Sequence, residues 1–211
     1  MGVSRKTMGY APIPDGELVA VVTFLEIREP TTEPTPQSPL RLRSIERPSL
    51  DDYRTLFRLV GSRWLWFSRL IMSDEKLAAI VHDPGVELFA IEDETGRDVG
   101  MLELDFREHG QCELSFIGLV PELAGQGHGR WLLAEALRLA WRDAISLVHV
   151  HTCTLDHPAA LAAYRRAGFL PVRRAIERFP DPRLLGVLPR DCAPQVPLLG
   201  TDASAGASPA S

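Results

Sequence analysis

Three glycines at alternate positions, Gly125, Gly127 and Gly129, constrain this chain more than any other feature of its sequence. Glycine permits backbone angles at which successive N–H groups converge, and the start of a helix adds partial positive charge at the same place. Apolar residues recur at helical spacing directly after the glycines, at positions 132, 133, 136, 137, 140 and 141. The pattern predicts a strand, an anion-binding loop and an amphipathic helix; a flexible turn without a ligand is the alternative.

Two common nucleotide-binding motifs do not fit this loop. A dinucleotide-binding fold requires Gly-x-Gly-x-x-Gly, and Arg130 occupies the place of its third glycine. A phosphate loop of the Walker type requires Gly-Lys followed by Ser or Thr, and this chain contains no such sequence. Spacing therefore excludes both motifs.

Composition limits the classes of partner. The chain has 211 residues, 45% of them hydrophobic and 24% charged, which is typical of a water-soluble protein with one sizeable core. A net charge of −5 argues against nucleic acid as a partner. The apolar run Leu18 to Leu25 is too short to cross a membrane, so we expect no membrane partner.

The cysteines and histidines predict neither disulfides nor a metal. Three widely spaced cysteines contain no Cys-x-x-Cys pair, so we expect a reducing, cytoplasmic location. His149, His151 and Cys153 alternate along one segment, a spacing that a metal could use. The same alternation follows from the geometry of any strand, and no cluster of carboxylates accompanies it, so we expect no metal.

The chain divides into three regions. We predict an N-terminal extension over residues 1–39, comprising an extended segment from Glu17 to Ile27 and a linker rich in Pro and Thr, a domain over residues 40–192, and a mobile tail over residues 193–211. Periodicity within the domain predicts strands at 40–44, 86–91, 98–106, 112–119, 147–153 and 169–179. It also predicts four helices, two of which begin after Ser49 and Ser73 and one of which covers 158–167.

Two motifs in order resemble the GNAT acetyltransferase superfamily. The first is Leu119-Val120-Pro121 followed by the three glycines, and the second runs from Asp156 through Tyr164 to Gly168-Phe169. The likeness covers about residues 40–179. Ala124 stands where the family usually has Arg or Gln, and Asp156 stands where it has Asn.

The resemblance implies a fold and an activity. It implies an α/β (α+β) fold with a mixed, mostly antiparallel sheet of six to seven strands, flanked by about four helices. The extended N-terminal segment would add a strand to this sheet or to that of a partner, and a homodimer is compatible with either. The implied activity is transfer of an acetyl group from acetyl-CoA to an amine acceptor, a small molecule or a peptide, by direct attack in a ternary complex and without a metal.

The resemblance also assigns the donor site. The implied contacts with acetyl-CoA are made by Leu119, Val120, Gly125, Gln126, Gly127, His128, Gly129, Arg130 and Asp156. Because Ala124 removes a polar side chain from the pyrophosphate site, we expect backbone N–H groups to bind the pyrophosphate, helped by Gln126 and Arg130. His128 is expected to contribute its backbone N–H.

Two residues are candidates for proton transfer. Glu113 lies where many family members carry a catalytic base that acts directly or through water, although an outward-facing strand residue explains it equally well. Tyr164 lies where the family carries a general acid for the leaving thiolate, and an ordinary core tyrosine is the alternative. The backbone N–H near Leu119 would polarise the thioester carbonyl.

The acceptor cannot be identified from the sequence. Trp64, Trp66 and Phe67 lie between the first two predicted helices, where the family has its acceptor pocket, but aromatic residues at this spacing are more often core. Two other functions remain open: a domain that senses acetyl-CoA without turning it over, and a structural domain whose loop binds nothing.

Overall fold

The computed structural model describes residues 9–31 and 34–200, which form one sheet of seven strands with helices on both faces. The strands are β1 (Glu17–Ile27), β2 (Arg41–Ser44), β3 (Val86–Glu92), β4 (Asp98–Asp105), β5 (Gln111–Leu119), β6 (Leu147–Cys153) and β7 (Leu170–Pro180). The α-helices are α1 (Leu50–Gly61), α2 (Asp74–Val81), α3 (His128–Ala140) and α4 (Ala160–Arg166). Two short 3₁₀ turns, Ser62–Trp64 and Pro121–Leu123, complete the regular structure of these residues.

The strand order is β2-β3-β4-β5-β6-β1-β7. Every neighbouring pair is antiparallel except β5 and β6, which run parallel. This architecture confirms the predicted mixed, mostly antiparallel sheet of six to seven strands with four helices.

The N-terminal strand β1 lies inside the sheet. It pairs with β6 on one side and with β7 on the other, and its residues Ala20, Val22, Leu25 and Ile27 are buried. The segment therefore joins this sheet, which settles the alternative that the sequence left open. Because β1 separates β6 from β7, the last strand is attached to the sheet only through the first.

Each face of the sheet buries its own layer of apolar side chains. Helices α1 and α2 cover one face with a core that includes Phe57 and Leu77, both fully buried. Helices α3 and α4 cover the other face, where Leu132 and Leu137 pack against β5 and β6. The two layers hold the centre of the sheet rigid, which positions the ends of β5 and β6.

Both predicted N-caps are present. The Ser49 hydroxyl accepts a hydrogen bond from the N–H of Asp52 at 3.1 Å, and the Ser73 hydroxyl accepts one from Lys76 at 3.4 Å. Such a bond satisfies one of the N–H groups that the first turn of a helix leaves without a partner.

Replacing the Ser49 cap should weaken the fold. We expect Ser49→Ala to lower the free energy of unfolding by about 1 kcal/mol, measured by urea denaturation. Ser68→Ala, at an exposed serine that caps no helix, is the matched control and should change stability by less than about 0.5 kcal/mol. Equal losses in the two variants would contradict a capping role.

The segment after β7 differs from the expected mobile tail. Residues 193–200, assigned to that tail, are described by the structure and pack against the domain, with Ala193 fully buried beside Leu65 and Leu188. The cause is Arg183, whose buried guanidinium pairs with Asp181 and also donates to the carbonyl oxygens of Ala193 and Val196. A buried guanidinium requires such acceptors, so it fixes the chain that supplies them. Residues 201–211 lie outside the described residues.

Within the part of the chain that the structure describes, no helix combines the length and the hydrophobicity needed to cross a membrane.

Candidate active site

A cleft opens where β5 and β6 separate. The two strands are paired only from Gln111–Leu147 to Glu113–His149, and their remaining residues diverge. The resulting cleft has a volume of about 1070 Å³ and reaches from the glycine loop past the ends of both strands. Its lining includes residues from the linker, such as Pro34 and Pro36, as well as from the sheet, α3 and α4.

The glycine loop forms one end of this cleft. Gly125 and Gly127 have φ angles of +77° and +87°, in the left-handed region that favours glycine. A Cβ atom added at position 125, 127 or 129 would meet no heavy atom within 4 Å, so each glycine faces open space. Helix α3 begins at His128 directly behind the loop. The cradle therefore fits a phosphate group bound by backbone N–H groups and a helix N-terminus.

The side chains around the loop differ in whether they line the cleft. The Gln126 amide donates to the carbonyl oxygen of Glu122 at 2.9 Å, and His128 Nδ1 lies 3.1 Å from the hydroxyl of Ser38 in the linker. Neither side chain is among the described residues that line the cleft, whereas Arg130 is. Gln126 and His128 thus brace the loop, and their placement agrees with a site built from backbone groups.

One backbone donor is directed into the gap between the strands. The N–H of Val120 donates to Val99 on β4 at 2.9 Å. Since successive N–H groups of a strand point to opposite sides, the N–H of Leu119 points away from β4 and towards the cleft. Leu119 and Val120 both line the cleft, and their contact with the donor remains a prediction.

Tyr164 lies at the cleft on helix α4. It is only 9% exposed, and its ring packs edge-on against Phe169. Burial, with a smaller contribution from Asp156, raises the pKa of its hydroxyl. The phenol is therefore fully protonated at neutral pH and is available as a hydrogen-bond and proton donor.

Glu113 on β5 is in register with His149 on β6, and its side chain reaches His151, two residues further along that strand. Glu113 and His151 both line the cleft. Glu113 Oε1 is 3.4 Å from His151 Nδ1. The hydrogen bond with His151 lowers the pKa of Glu113, and the same contact raises the pKa of His151. The sequence analysis identified Glu113 but explained His151 by strand alternation alone, because pairing across two strands is not visible in sequence spacing.

Asp156 stands at the edge of the cleft with both carboxylate oxygens occupied. Oδ1 accepts a hydrogen bond from the Trp66 indole at 3.1 Å, and Oδ2 accepts bonds from the Thr152 hydroxyl and the Cys153 N–H, each at 2.8 Å. The residue therefore ties the end of β6 to the loop after α1. A contact between Asp156 and the donor remains a prediction.

Aromatic residues form one wall of the cleft. Trp64, Trp66 and Phe67 all line it, and Phe67 packs against Phe179 of β7. Trp66 also contacts Phe57 and Phe116, so it belongs to the core of the α1 face as well as to the cleft. Trp66 is thus partly a core residue, and a contact between this cluster and the acceptor remains a prediction.

A buried acidic group beneath the wall was missed by the sequence analysis. Glu103 on β4 is fully buried and accepts hydrogen bonds from the Tyr53 hydroxyl and the Arg69 guanidinium, each at 2.5 Å. Arg69 lines the cleft and lies over the Phe116 ring. The only sequence signal is a carboxylate inside an apolar strand, which a buried ion pair requires.

Metal ligands are not grouped in the described residues: within 9–31 and 34–200, no three His, Cys, Asp or Glu side chains are arranged to hold an ion.

A phosphate cradle at the mouth of an opened parallel strand pair defines a class of site that binds a phosphate-bearing group donor. Comparison with known proteins identifies the class more closely. Residues 51–169 match the family described as the acetyltransferase (GNAT) family. The chain belongs to this family, which confirms the resemblance seen in the two motifs.

The chain is also similar to individual proteins and solved structures. A stretch of 96 residues is 36% identical to mycothiol acetyltransferase of Clavibacter michiganensis, covering 46% of this chain and 30% of that protein. The fold is similar to that of a GCN5-related N-acetyltransferase from Sphaerobacter thermophilus, with a TM-score of 0.53 and 20% identity over 77% of this chain and 52% of that chain. The fold is also similar to that of a functionally unknown conserved protein from Staphylococcus epidermidis, with a TM-score of 0.52 and 14% identity. That match covers 79% of this chain and 63% of the other chain. This chain thus spans less than two thirds of each relative's length.

Proposed function

We propose that the protein transfers an acetyl group from acetyl-CoA to an amine acceptor by direct attack within a ternary complex. The single observation that supports this most is the cradle of Gly125, Gly127 and Gly129, which opens into a cleft also lined by Tyr164 and the Glu113–His151 pair. A pyrophosphate site and two proton-transferring groups in one cleft are what such a reaction requires.

The donor end of the cleft supplies binding and polarisation. The glycine loop and the start of α3 would hold the pyrophosphate of the donor, and the Leu119 N–H would hold the thioester oxygen. Acetyl-CoA, when bound, supplies the acetyl group as a reactive thioester. Tyr164 would donate a proton to the sulfur as it leaves, since its hydroxyl keeps its proton at neutral pH.

The acceptor end suits a positively charged amine. Glu113 and Glu177 bring carboxylates to this end, and Trp64, Phe67 and Phe179 bring aromatic faces. An ammonium group is stabilised by both kinds of partner. Because an alkyl amine with a pKa near 10.4 is mostly protonated at neutral pH, a base beside it must take a proton before it can attack. We assign that task to the Glu113–His151 pair.

A thermal-shift titration tests the donor site. We expect acetyl-CoA to raise the melting temperature progressively with concentration, reaching a stabilisation of about 2.7 kcal/mol at a hundred times its dissociation constant. S-acetylpantetheine, which carries the thioester but no pyrophosphate, is the matched control and should stabilise far less. No shift with acetyl-CoA would overturn the proposed donor and favour a structural domain.

Turnover requires a separate test. Acetyl-CoA is incubated with a panel of amines, including diamines, amino sugars, amino acids and peptide N-termini, and released thiol is measured. Acetylation of at least one amine, verified by mass spectrometry, is the expected result. Tight binding of acetyl-CoA with no transfer to any amine would instead support a sensor of acetyl-CoA.

A further inference from the structure

The pairing of Glu113 with His151 bears on which group removes the acceptor's proton. The two side chains project from neighbouring strands on the same face of the sheet, where β5 and β6 begin to separate. The carboxylate faces Nδ1 of the imidazole, so Nε2 is the ring nitrogen left for another partner. The His151 side chain is 49% exposed at the cleft, against 32% for Glu113. The imidazole is thus the more accessible of the two bases.

The chemistry of the two groups also favours His151 over Glu113 as the base. A carboxylate engaged by a neighbouring donor is a weak proton acceptor at neutral pH, whereas an imidazole titrates close to the working pH and serves as an efficient general base. A carboxylate that binds Nδ1–H fixes the tautomer in which Nε2 carries the free lone pair. In the carboxylate–imidazole pairs of hydrolases, the carboxylate likewise orients the imidazole that takes the proton.

We propose that His151 is the catalytic base of this enzyme, and that Glu113 is a positioning residue that holds the imidazole with Nδ1 protonated. The inference rests on the proposed acetyl transfer to an amine. It assigns a role to His151 and replaces the direct role expected for Glu113.

The proposed step moves two protons from the acceptor nitrogen and transfers the acetyl group from sulfur to that nitrogen. Nε2 of His151 takes one proton from the acceptor's ammonium group, and the freed lone pair on nitrogen forms a bond to the acetyl carbon. The carbon–sulfur bond breaks with its electron pair leaving on sulfur, which takes the proton of the Tyr164 hydroxyl. The second proton lost by nitrogen as the amide forms returns to the tyrosine oxygen. The products are the amide, the free thiol and a protonated His151, which releases its proton to solvent.

The surroundings of His151 determine how its charge responds to pH. Glu113 faces it from β5, Asp156 from the loop after β6, and Glu177 from β7. Phe24 of β1 packs against its ring, with the Arg173 guanidinium over the other side of Phe24. His149 lies two positions earlier on β6, beside Glu113.

The contact with Glu113 is the largest cause of a raised pKa at His151, and the charges of Asp156 and Glu177 add to it, while burial of the ring acts in the opposite direction. Because the base must be neutral to act, activity should rise with pH through that raised pKa. Removing the carboxylate of Glu113 should therefore move this rise to lower pH.

Three variants test the proposal by their pH profiles. We expect His151→Gln to lower kcat by at least tenfold at neutral pH and to abolish the rise near neutrality. Glu113→Gln, which keeps an acceptor for Nδ1–H but removes the charge, should retain the rise and shift it to lower pH. His109→Gln, at an exposed histidine in the turn before β5 that is not among the residues lining the cleft, is the matched control and should leave both kcat and the profile unchanged.

An independent readout does not depend on turnover. Nitrogen chemical shifts of labelled histidine would give the tautomer and the pKa of His151 in the wild type and in Glu113→Gln. Protonation of Nδ1 in the neutral ring, and a lower pKa in Glu113→Gln, are expected. An unchanged pKa would overturn the positioning role of Glu113.

The outcomes separate the two proposals. A wild type that acetylates no amine would overturn the proposed function and the base role with it, whatever the titration shows. An active wild type in which His151→Gln matches His109→Gln, or in which Glu113→Gln removes the rise entirely, would overturn only the assignment of His151. Rescue of His151→Gly by added imidazole would support a chemical role over a structural one.

Discussion

Gly127→Val should abolish tight binding of acetyl-CoA, with a dissociation constant raised at least about a hundredfold. The residue has a φ of +87°, which costs an L side chain roughly 1–2 kcal/mol, and a β-branched residue more. The new side chain would also project into the open space where the pyrophosphate is expected. Isothermal titration calorimetry with acetyl-CoA measures the loss directly.

Gln126→Ala is the matched control for this loop. The Gln126 side chain bonds to the Glu122 carbonyl and lies away from the cleft, so we expect its removal to change the dissociation constant by less than about threefold. A large loss in Gln126→Ala would show that this side chain replaces the Arg or Gln missing at Ala124. Circular dichroism of Gly127→Val should retain the native spectrum, because position 127 faces open space.

Tyr164→Phe should lower kcat by about a hundredfold to a thousandfold while leaving the affinity for acetyl-CoA nearly intact. The substitution removes one hydroxyl and keeps the ring, so the packing against Phe169 is preserved. The leaving thiolate would then depart without a proton donor from α4. Steady-state kinetics with saturating acetyl-CoA, together with calorimetric binding, separate the two effects.

Tyr10→Phe removes the same hydroxyl from an exposed tyrosine and should have no effect on kcat. Unchanged turnover in Tyr164→Phe would contradict the acid role and leave Tyr164 as a core residue. A loss of binding equal to the loss of turnover would indicate a role in holding the donor.

Local patterns predicted the elements well. The segment Glu17–Ile27 is a strand with the predicted bounds, and both Ser49 and Ser73 cap helices. These features depend on residues that are close together in the chain, so a short stretch of sequence is enough to predict them. The glycine loop is of the same kind, because its positive φ angles and the helix behind it are local properties.

Contacts between distant segments were not predictable in the same way. The partnership of Glu113 with His151 depends on the parallel pairing of two strands that α3 separates in sequence. The burial of Glu103 with Arg69, and the anchoring of residues 193–200 by Arg183, depend likewise on side chains brought together only by folding. A carboxylate or guanidinium in an apolar stretch signals a buried partner but does not identify it.

The place of β1 has a consequence for how the chain is made. Strand β1 is synthesised first, yet its partner β7 is synthesised near the end, and the ion pair between Glu17 and Arg178 joins residues 161 positions apart. Pairings over such distances close large loops and form slowly. During synthesis, β1 stays unpaired until its partner strands β6 and β7 have left the ribosome. The sheet is completed only when β7 pairs with β1.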